Sequence, residues 1–388
     1  MQSQRNIVTS DPENSETPLA SVPTWVTPTR LFFVRNHFPV PTAARDTAEL
    51  TLEGLVERPL RWTFAELAAM PQHTVFATVE CAGNGRSFLR QKAPGVQWGA
   101  GAIGHAEWTG VRLRDLLSAA GIKAGALEAV FFGADEGRED GQQMVFSRSL
   151  LLTKALHADT IVALRMNGEW LEPNHGAPMR LFVPGWYGVA SVKWLTRIQV
   201  IDHAYQGFFQ TVKYSIDRAT AAGKRRVPLG AGVVKSEIFH PSADEKLGLG
   251  TNRIDGVAWA GENQIARVDV STDGGRTWQA AHLKGVQQPY SWCQWETLWT
   301  VTAPGVYTIL SRAHTQSGET QPFEYNSDNL GYIINVVLPR KVSVSGDRQS
   351  PVDFADANAW SEMMADFAAQ NTRQPLDVEM SYSSGDGI

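Results

Sequence analysis

Cysteine is scarce. Only Cys81 and Cys293 occur in 388 residues, which excludes a disulfide framework and a four-cysteine zinc site. An excess of positive charge is also missing: 35 Lys and Arg stand against 40 Asp and Glu, a net charge of -5. Nothing in that balance neutralises a phosphate backbone, so nucleic acid is not an expected partner. No apolar run approaches the ~20 residues of a bilayer span, and residues 1–23 lack both a hydrophobic signal core and a twin arginine. The expectation is a soluble chain without a membrane span, cytoplasmic as the sequence stands and periplasmic if a signal segment has been removed. Haem-attachment signals, Cys-x-x-Cys-His or His-Pro-Gly-Gly, are absent too. What is present is ordinary folding material, 43% hydrophobic and 19% charged. The length is more than twice the ~150 residues of one domain, so two domains plus extensions are expected.

Residues 1–23 are polar and rich in Ser, Thr and Pro, and read as a flexible N-terminal arm. From Thr24 to about Lys224 the pattern mixes short strands with helical turns. Strands are expected at Ala48–Glu53, Thr74–Glu80, Ala129–Gly133, Thr160–Met166, Arg180–Pro184 and Trp194–Ile201, with a Thr-capped helix at Thr63–Ala68 and an amphipathic one at Val111–Ala120. This predicts an α+β protein: a mixed α/β domain over 24–224, then a second domain over 225–340. The stretch Ala222–Gly232 (AGKRRVPLGAG) reads as a linker or crossing between them. Beyond it, strands are expected at Ile254–Trp259, Ile265–Ser271, Trp278–Leu283, Trp292–Trp299, Gly305–His314 and Gly331–Leu338, spaced as in a β-sandwich. Asp-Gly within Ser271–Gly275 supplies the positive φ of a tight reversal. An acidic extension over 341–388 carries an expected helix at Ala355–Ala369.

Cys81 closes a β-rich run and opens onto Ala-Gly-Asn-Gly-Arg, so the thiol emerges at a strand end on a turn that can approach a ligand closely. Its thiolate suits a soft or high-valent metal, and Arg86 and Arg90 are expected to lower its pKa. Taken alone, a single cysteine is as well explained as a small buried hydrophobe. Leu31–Pro39 (LFFVRNHFP) places an arginine, an asparagine and a histidine in an apolar segment, which reads either as an anion pocket or as an ion pair beside a satisfied core histidine. Asn174–Gly185 adds His175 and Arg180 at a strand entry, and Ser191–Trp194 adds Lys193. Basic groups at strand ends suit a phosphate.

Five ordered motifs carry a resemblance: FVRNHFPVP from Phe33, ECAGNGRS from Glu80, the Gly101–Leu117 run with EWTGVRLRDLL, HGAPMRLFVPG from His175, and SVKWL from Ser191. Together they resemble the sulfite oxidase family of molybdopterin enzymes, and IDGVAWAG from Ile254 with VDVSTDGGRTW from Val268 is similar to that family's immunoglobulin-like dimerisation domain. The likeness runs from about Thr24 to Leu338 and implies a molybdopterin-binding catalytic domain, an immunoglobulin-like β-sandwich and a homodimer. It makes Cys81 the protein ligand of molybdenum in a molybdenum–molybdopterin cofactor. It implies that Phe33, Val34, Arg35, Asn36, His37, Asp135, His175, Arg180, Ser191, Val192 and Lys193 hold the cofactor. Arg35 and Arg86 then face a small anionic, sulfite-like substrate, Trp98 walls the pocket, and Tyr205 of AYQGF matches the active-site tyrosine.

Two departures accompany the likeness. Family members that oxidise sulfite contribute an arginine from the second domain, whereas the corresponding Tyr325–Tyr332 (YNSDNLGY) has none, and Gly85 replaces an arginine common before the position of Arg86. The implied activity is oxidation of sulfite to sulfate by oxo transfer, with electrons passed to an external acceptor, a cytochrome or oxygen. Reduction of a nitrate-like oxyanion by the same cofactor is the enzymatic alternative, and a binding or structural protein with a degenerate pocket the non-enzymatic one.

Overall fold

The computed structural model describes residues 4–348, apart from Pro23, Ala43 and Asp244. The described chain is mostly β. Its α-helices are Phe64–Ala69, Leu113–Ala120 and Leu152–Ala155, one or two turns each, so the expected mixed α/β character gives way to sheets with short helical caps. The cause lies in chain length between strands, because these helical stretches are too short to form a layer of their own and instead close sheet ends. Phe64–Ala69 begins as the sequence predicts, with Thr63 and Glu66 forming a reciprocal capping box worth ~1 kcal/mol.

Two five-stranded sheets build the first half. One runs in the order Leu60–Thr63, Glu49–Gly54, Leu195–Ile201, Glu128–Glu139, Gln142–Leu151; the other places Ile103–Arg112 between Gln72–Glu80 and Ile161–Met166. The strand expected at Ala129–Gly133 is the first part of a longer one, Glu128–Glu139. Asp140 and Gly141, both at positive φ, reverse it into Gln142–Leu151. Leu50, Leu52, Phe131, Leu164, Leu181 and Ile198 fill the space beneath.

The N-terminal segment is not a flexible arm. Asn6–Ser10 and Glu13–Glu16 form a hairpin whose second strand pairs with Val34–Arg35. Thr17 Oγ1 donates to the Ile103 carbonyl at 2.7 Å and accepts from the Phe33 amide at 3.1 Å. Polar residues that look solvated in sequence are here partners for a buried backbone.

In the second half, Lys246–Trp259 pairs with Lys235–His240 and Cys293–Val301 antiparallel and with Arg340–Arg348 parallel, over a core including Ile254, Val268, Trp295 and Ile309. Two expectations change. Gly331–Leu338 is irregular rather than a strand, with Gly331 and Ile333 at positive φ, and the last described strand is Arg340–Arg348, past the boundary expected at 340. The expected linker Ala222–Gly232 is largely one arm of a hairpin, Ser215–Thr220 with Gly223–Pro228, so the crossing shortens to about 229–234. The helix expected at Ala355–Ala369 lies outside the described residues. Among those described, no helix is long and apolar enough to cross a membrane.

The halves meet through an aromatic junction. Trp25 and Trp292 exchange indole-to-carbonyl hydrogen bonds at 3.2 and 2.9 Å, and the ring of His105 stacks against Trp292 and packs at a tilt against Trp25. Lys154 and Glu262 form an ion pair across the same boundary. Trp292, Trp295 and Trp299 are all buried within one chain, so they offer no surface to a partner.

Candidate cofactor and substrate site

Cys81 stands where strand Gln72–Glu80 ends. Its amide donates to the Ala102 carbonyl at 2.9 Å and its carbonyl accepts from the Asn84 amide at 2.8 Å, which closes the turn beneath the thiol. Gly85 takes φ +95, a left-handed conformation that an arginine would adopt only under strain, giving the departure at this position a backbone reason. Behind the turn, the buried Glu80 carboxylate accepts from Lys235 Nζ at 3.2 Å, Asn84 Nδ2 at 3.0 Å and Trp259 Nε1 at 2.9 Å, tying the thiol's strand to the second half. Burial pushes the Cys81 thiol pKa up, outweighing the nearby guanidinium groups of Arg35 and Arg86 and the Gly83 amide. This corrects the expected lowering; Arg90 is exposed. A thiol held protonated by burial loses its proton to an incoming metal rather than to water.

One side of Cys81 opens into a cavity lined by Phe33, Arg35, His37, Asp135, Asn174, His175, Arg180, Ser191, Lys193 and Tyr214. Arg180 donates to the carbonyls of His175 at 3.1 Å and Ser191 at 2.8 Å, lies 5.1 Å over the Trp108 ring, and leaves its buried Nε without a partner. Lys193 Nζ donates to Asn36 Oδ1 and to the Asn174 carbonyl. Burial, reinforced by Arg180, pulls the Lys193 pKa well down. Burial with Lys193 and Arg180 lowers His175 to about 3, so its imidazole is neutral. Burial raises Asp135 to about 6, against Lys193, and its Oδ1 has no partner. An arginine N–H and a carboxylate oxygen, both buried and orphaned in one cationic cavity, fit a ligand carrying an anionic group together with N–H donors, as a phosphorylated pterin does.

Not every expected holder touches this cavity. Val34 and Val192 are buried core residues, and Asn36 acts through its partners, Lys193 and Asn174. The N-terminal hairpin, missed in sequence, closes the back of the site. Asn14 Oδ1 accepts from Arg35 at 3.2 Å and from the Asn36 amide at 3.0 Å, while Glu13 Oε2 accepts from Asn174 at 3.0 Å.

The other side of Cys81 opens into a cavity of about 320 Å³ shared by Arg35, Arg86, Trp98, Glu139, Lys213, Tyr214, Arg226, Leu330 and Tyr332. Arg86 is fixed: Nε donates to the Gly331 carbonyl and one terminal nitrogen to the Val96 carbonyl, both at 2.9 Å, and the guanidinium lies 5.3 Å over the Tyr332 ring. Trp98 is fully buried in the wall. Tyr205 is not in either cavity. Its hydroxyl lies 2.7 Å from Ser147 Oγ and its amide donates to Glu128. The tyrosine at the thiol is Tyr214, whose Oη lies 2.5 Å from His37 Nε2 and accepts from Arg35 at 3.4 Å. Burial raises the Tyr214 hydroxyl to about 12 and pulls the His37 pKa well down, so a neutral phenol meets a neutral imidazole. The Tyr-x-Gly-Phe likeness points to Tyr205, which lines neither cavity, and the Lys213-Tyr214 pair nine residues on carries no local signal that marks Tyr214 as the one that does.

The chain matches two family models: an oxidoreductase molybdopterin-binding domain over residues 37–209 and a Mo-co oxidoreductase dimerisation domain over 231–344. It is 35% identical to sulfite oxidase of Gallus gallus, over 80% of this chain and 71% of that one. With sulfite oxidase of Arabidopsis thaliana the identity is 32%, over 84% of this chain and 90% of that one. The NADH nitrate reductase of Ulva prolifera is 34% identical, but the match spans 40% of its length. Among solved structures, the sulfane dehydrogenase SoxCD from Paracoccus pantotrophus superposes with a TM-score of 0.77 at 31% identity, covering 87% of each chain.

Proposed function

The chain belongs to the sulfite oxidase family of molybdopterin-dependent oxidoreductases and uses the molybdenum–molybdopterin cofactor, and from that premise we propose that it oxidises sulfite to sulfate and passes the electrons to an external acceptor, a cytochrome or oxygen. One observation carries the reading: the buried Cys81 thiol forms a wall common to an orphan-lined cationic cavity and to a second cavity ringed by Arg35, Arg86 and Tyr214. When bound, the cofactor supplies two-electron oxo transfer at molybdenum. Cys81 would ligate the metal, Arg180, Lys193 and His175 would receive the phosphate, and Asp135 would take pterin N–H groups. In the second cavity Arg35 and Arg86 would bind and orient the anion, with guanidinium donors matched to oxyanion edges. Tyr214, held by His37 and Arg35, would keep an O–H directed by fixed partners instead of mobile water.

Under this reading the cofactor-binding unit, expected over 24–224, extends to Pro228 and includes the N-terminal hairpin. The immunoglobulin-like unit through which two copies associate, expected over 225–340, runs from about Lys235 to Arg348. Because the tryptophans are internal, the dimer surface must lie among exposed apolar residues such as Leu298, Val306 and Phe323. A specific observation favours a second substrate: Tyr325–Tyr332 contributes Leu330 and Tyr332 to the cavity but no cation, and a sulfane dehydrogenase covers most of the chain. Metal analysis, anaerobic reduction by sulfite or thiosulfate followed with a small artificial acceptor, and nitrate-dependent oxidation of a reduced artificial donor test these readings. Sulfite-dependent turnover by molybdenum-loaded protein is expected. Turnover with thiosulfate alone would transfer the reading to sulfane sulfur, and loaded protein inert to all three would refute it.

A further inference from the structure

The hairpin Ser215–Thr220/Gly223–Pro228 has no role in the reading above, yet it stands at the substrate cavity. Its tip is exposed, and it gathers Arg218, Lys224, Arg225 and Arg226 in a chain of net negative charge. Register places Arg218 directly across from Arg225, a like-charge pair that weakens an exposed two-stranded ribbon. What holds the ribbon down is the segment that lacks the expected arginine. Lys224 pairs with Asp328, and Arg218 donates to Asn329 Oδ1 at 3.1 Å. That docking brings Arg226, on the opposite face from Arg225, into the wall of the cavity that also contains Cys81, Arg35 and Leu330. Asp217 accepts from Arg226 Nε at 2.9 Å and Ser215 Oγ from Nη1 at 3.4 Å, so the guanidinium is aimed from one edge, while Nη2 makes no hydrogen bond among the described residues. Arg226 is thus ion-paired with Asp217, as the other added cation, Lys213, is with Glu139, and it differs in keeping the Nη2 edge of its guanidinium unbonded among the described residues.

We infer that Arg226 is an anion-binding residue of this cavity, supplied by a first-half hairpin in place of the arginine missing from Tyr325–Tyr332. The inference rests on the proposed oxyanion chemistry for its substrate but not for its geometry. A hairpin-borne arginine is held by two polar pins instead of by a packed sheet, so the site's affinity depends on Lys224 and Asp328, which do not line the cavity.

The test uses full-length, molybdenum-loaded protein. Arg226→Gln should raise the KM for sulfite about tenfold or more while kcat changes less than about twofold. Arg226→Lys should recover part of that loss, and Lys224→Ala should raise KM in the same direction. Metal content and thermal midpoint should match wild type, because Arg226 is half exposed. Sulfate binding, measured by isothermal titration without any turnover, should weaken in parallel. If wild type fails to oxidise sulfite yet binds sulfate in an Arg226-dependent way, the functional reading falls and the anion site stands. Sulfite KM and sulfate affinity both within about twofold of wild type in Arg226→Gln, or no sulfate binding by wild type, would overturn the inference.

Discussion

Tyr214 and Tyr205 sit nine positions apart and have opposite surroundings. Tyr214→Phe removes a hydroxyl fixed between His37 and Arg35 and should lower kcat/KM for sulfite about a hundredfold, judged from the cost of misplacing a reacting group. Tyr205→Phe breaks only the contact with Ser147, so turnover should be unchanged and stability should fall by about 1 kcal/mol. Steady-state kinetics on the two variants decide between them; the reverse pattern would return the active-site role to Tyr205. Arg86 differs from Arg226 in being structural as well as cationic. Arg86→Gln leaves the Gly331 and Val96 carbonyls short of donors, each costing about 1–3 kcal/mol if unsatisfied, so the urea midpoint should drop together with sulfite affinity. A raised KM at wild-type stability would show that those carbonyls find other donors. The two cysteines should separate cleanly. Cys81→Ser replaces a soft ligand with a hard one and should abolish turnover at near-native stability, whereas Cys293, a thiol that burial raises to about 11 inside the second core, should be replaceable with activity intact.

Among elements, the N-terminal hairpin carries the clearest consequence. Asn14 satisfies Arg35 and the Asn36 amide, and Glu13 holds Asn174, so the hairpin braces cofactor-lining residues it does not itself join. Deleting residues 1–16 should lower the molybdenum-to-protein ratio after gel filtration while the second half keeps its fold, since each unbraced buried polar group costs about 1–3 kcal/mol. Full metal retention in the truncated chain would reduce the hairpin to a surface decoration. The strand Gln72–Glu80 shows the same logic from the other end, because Lys235 and Trp259 of the second half fix Glu80 and thereby the turn that presents Cys81.

At the scale of the molecule, the halves share an aromatic junction and the buried Lys235–Glu80 ion pair, so they should unfold in one transition. His105 lies in that junction, fully buried, its pKa lowered by burial to about 3. Above the ordinary histidine value, 6.5, the ring is neutral in both states and contributes nothing to pH dependence. Below it, the unfolded chain takes up a proton that the folded chain refuses until about pH 3, so acid favours unfolding. His105→Phe should therefore remove about one proton, or about 1.4 kcal/mol per pH unit, from the slope of unfolding free energy between pH 6 and about 4, read from urea titrations. Equal slopes in wild type and variant would place a charged imidazole in the junction.

Sequence alone was enough for the things that depend on contiguous residues: the thiol on its glycine-rich turn, the Leu31–Pro39 and His175–Arg180 clusters, the Thr63 cap and the Asp-Gly reversal after Ser271. Their chemistry is local, and a strand end or a positive φ announces itself in a few letters. Tertiary structure decided what depends on distant pairing. Asn14 and Lys235 look like surface residues until they meet Arg35 and Glu80. The Ala222–Gly232 stretch looks like a linker until Lys224 finds Asp328 and turns Arg226 into the cavity. Tyr214 rather than Tyr205 shares a cavity with Cys81 because the helical turn Phe208–Val212 between them redirects the chain, and no periodicity in so short a segment encodes that path. Burial had the last word on charge, since it raised the Cys81 thiol despite its neighbouring arginines and pulled His175 and His37 toward the neutral imidazole.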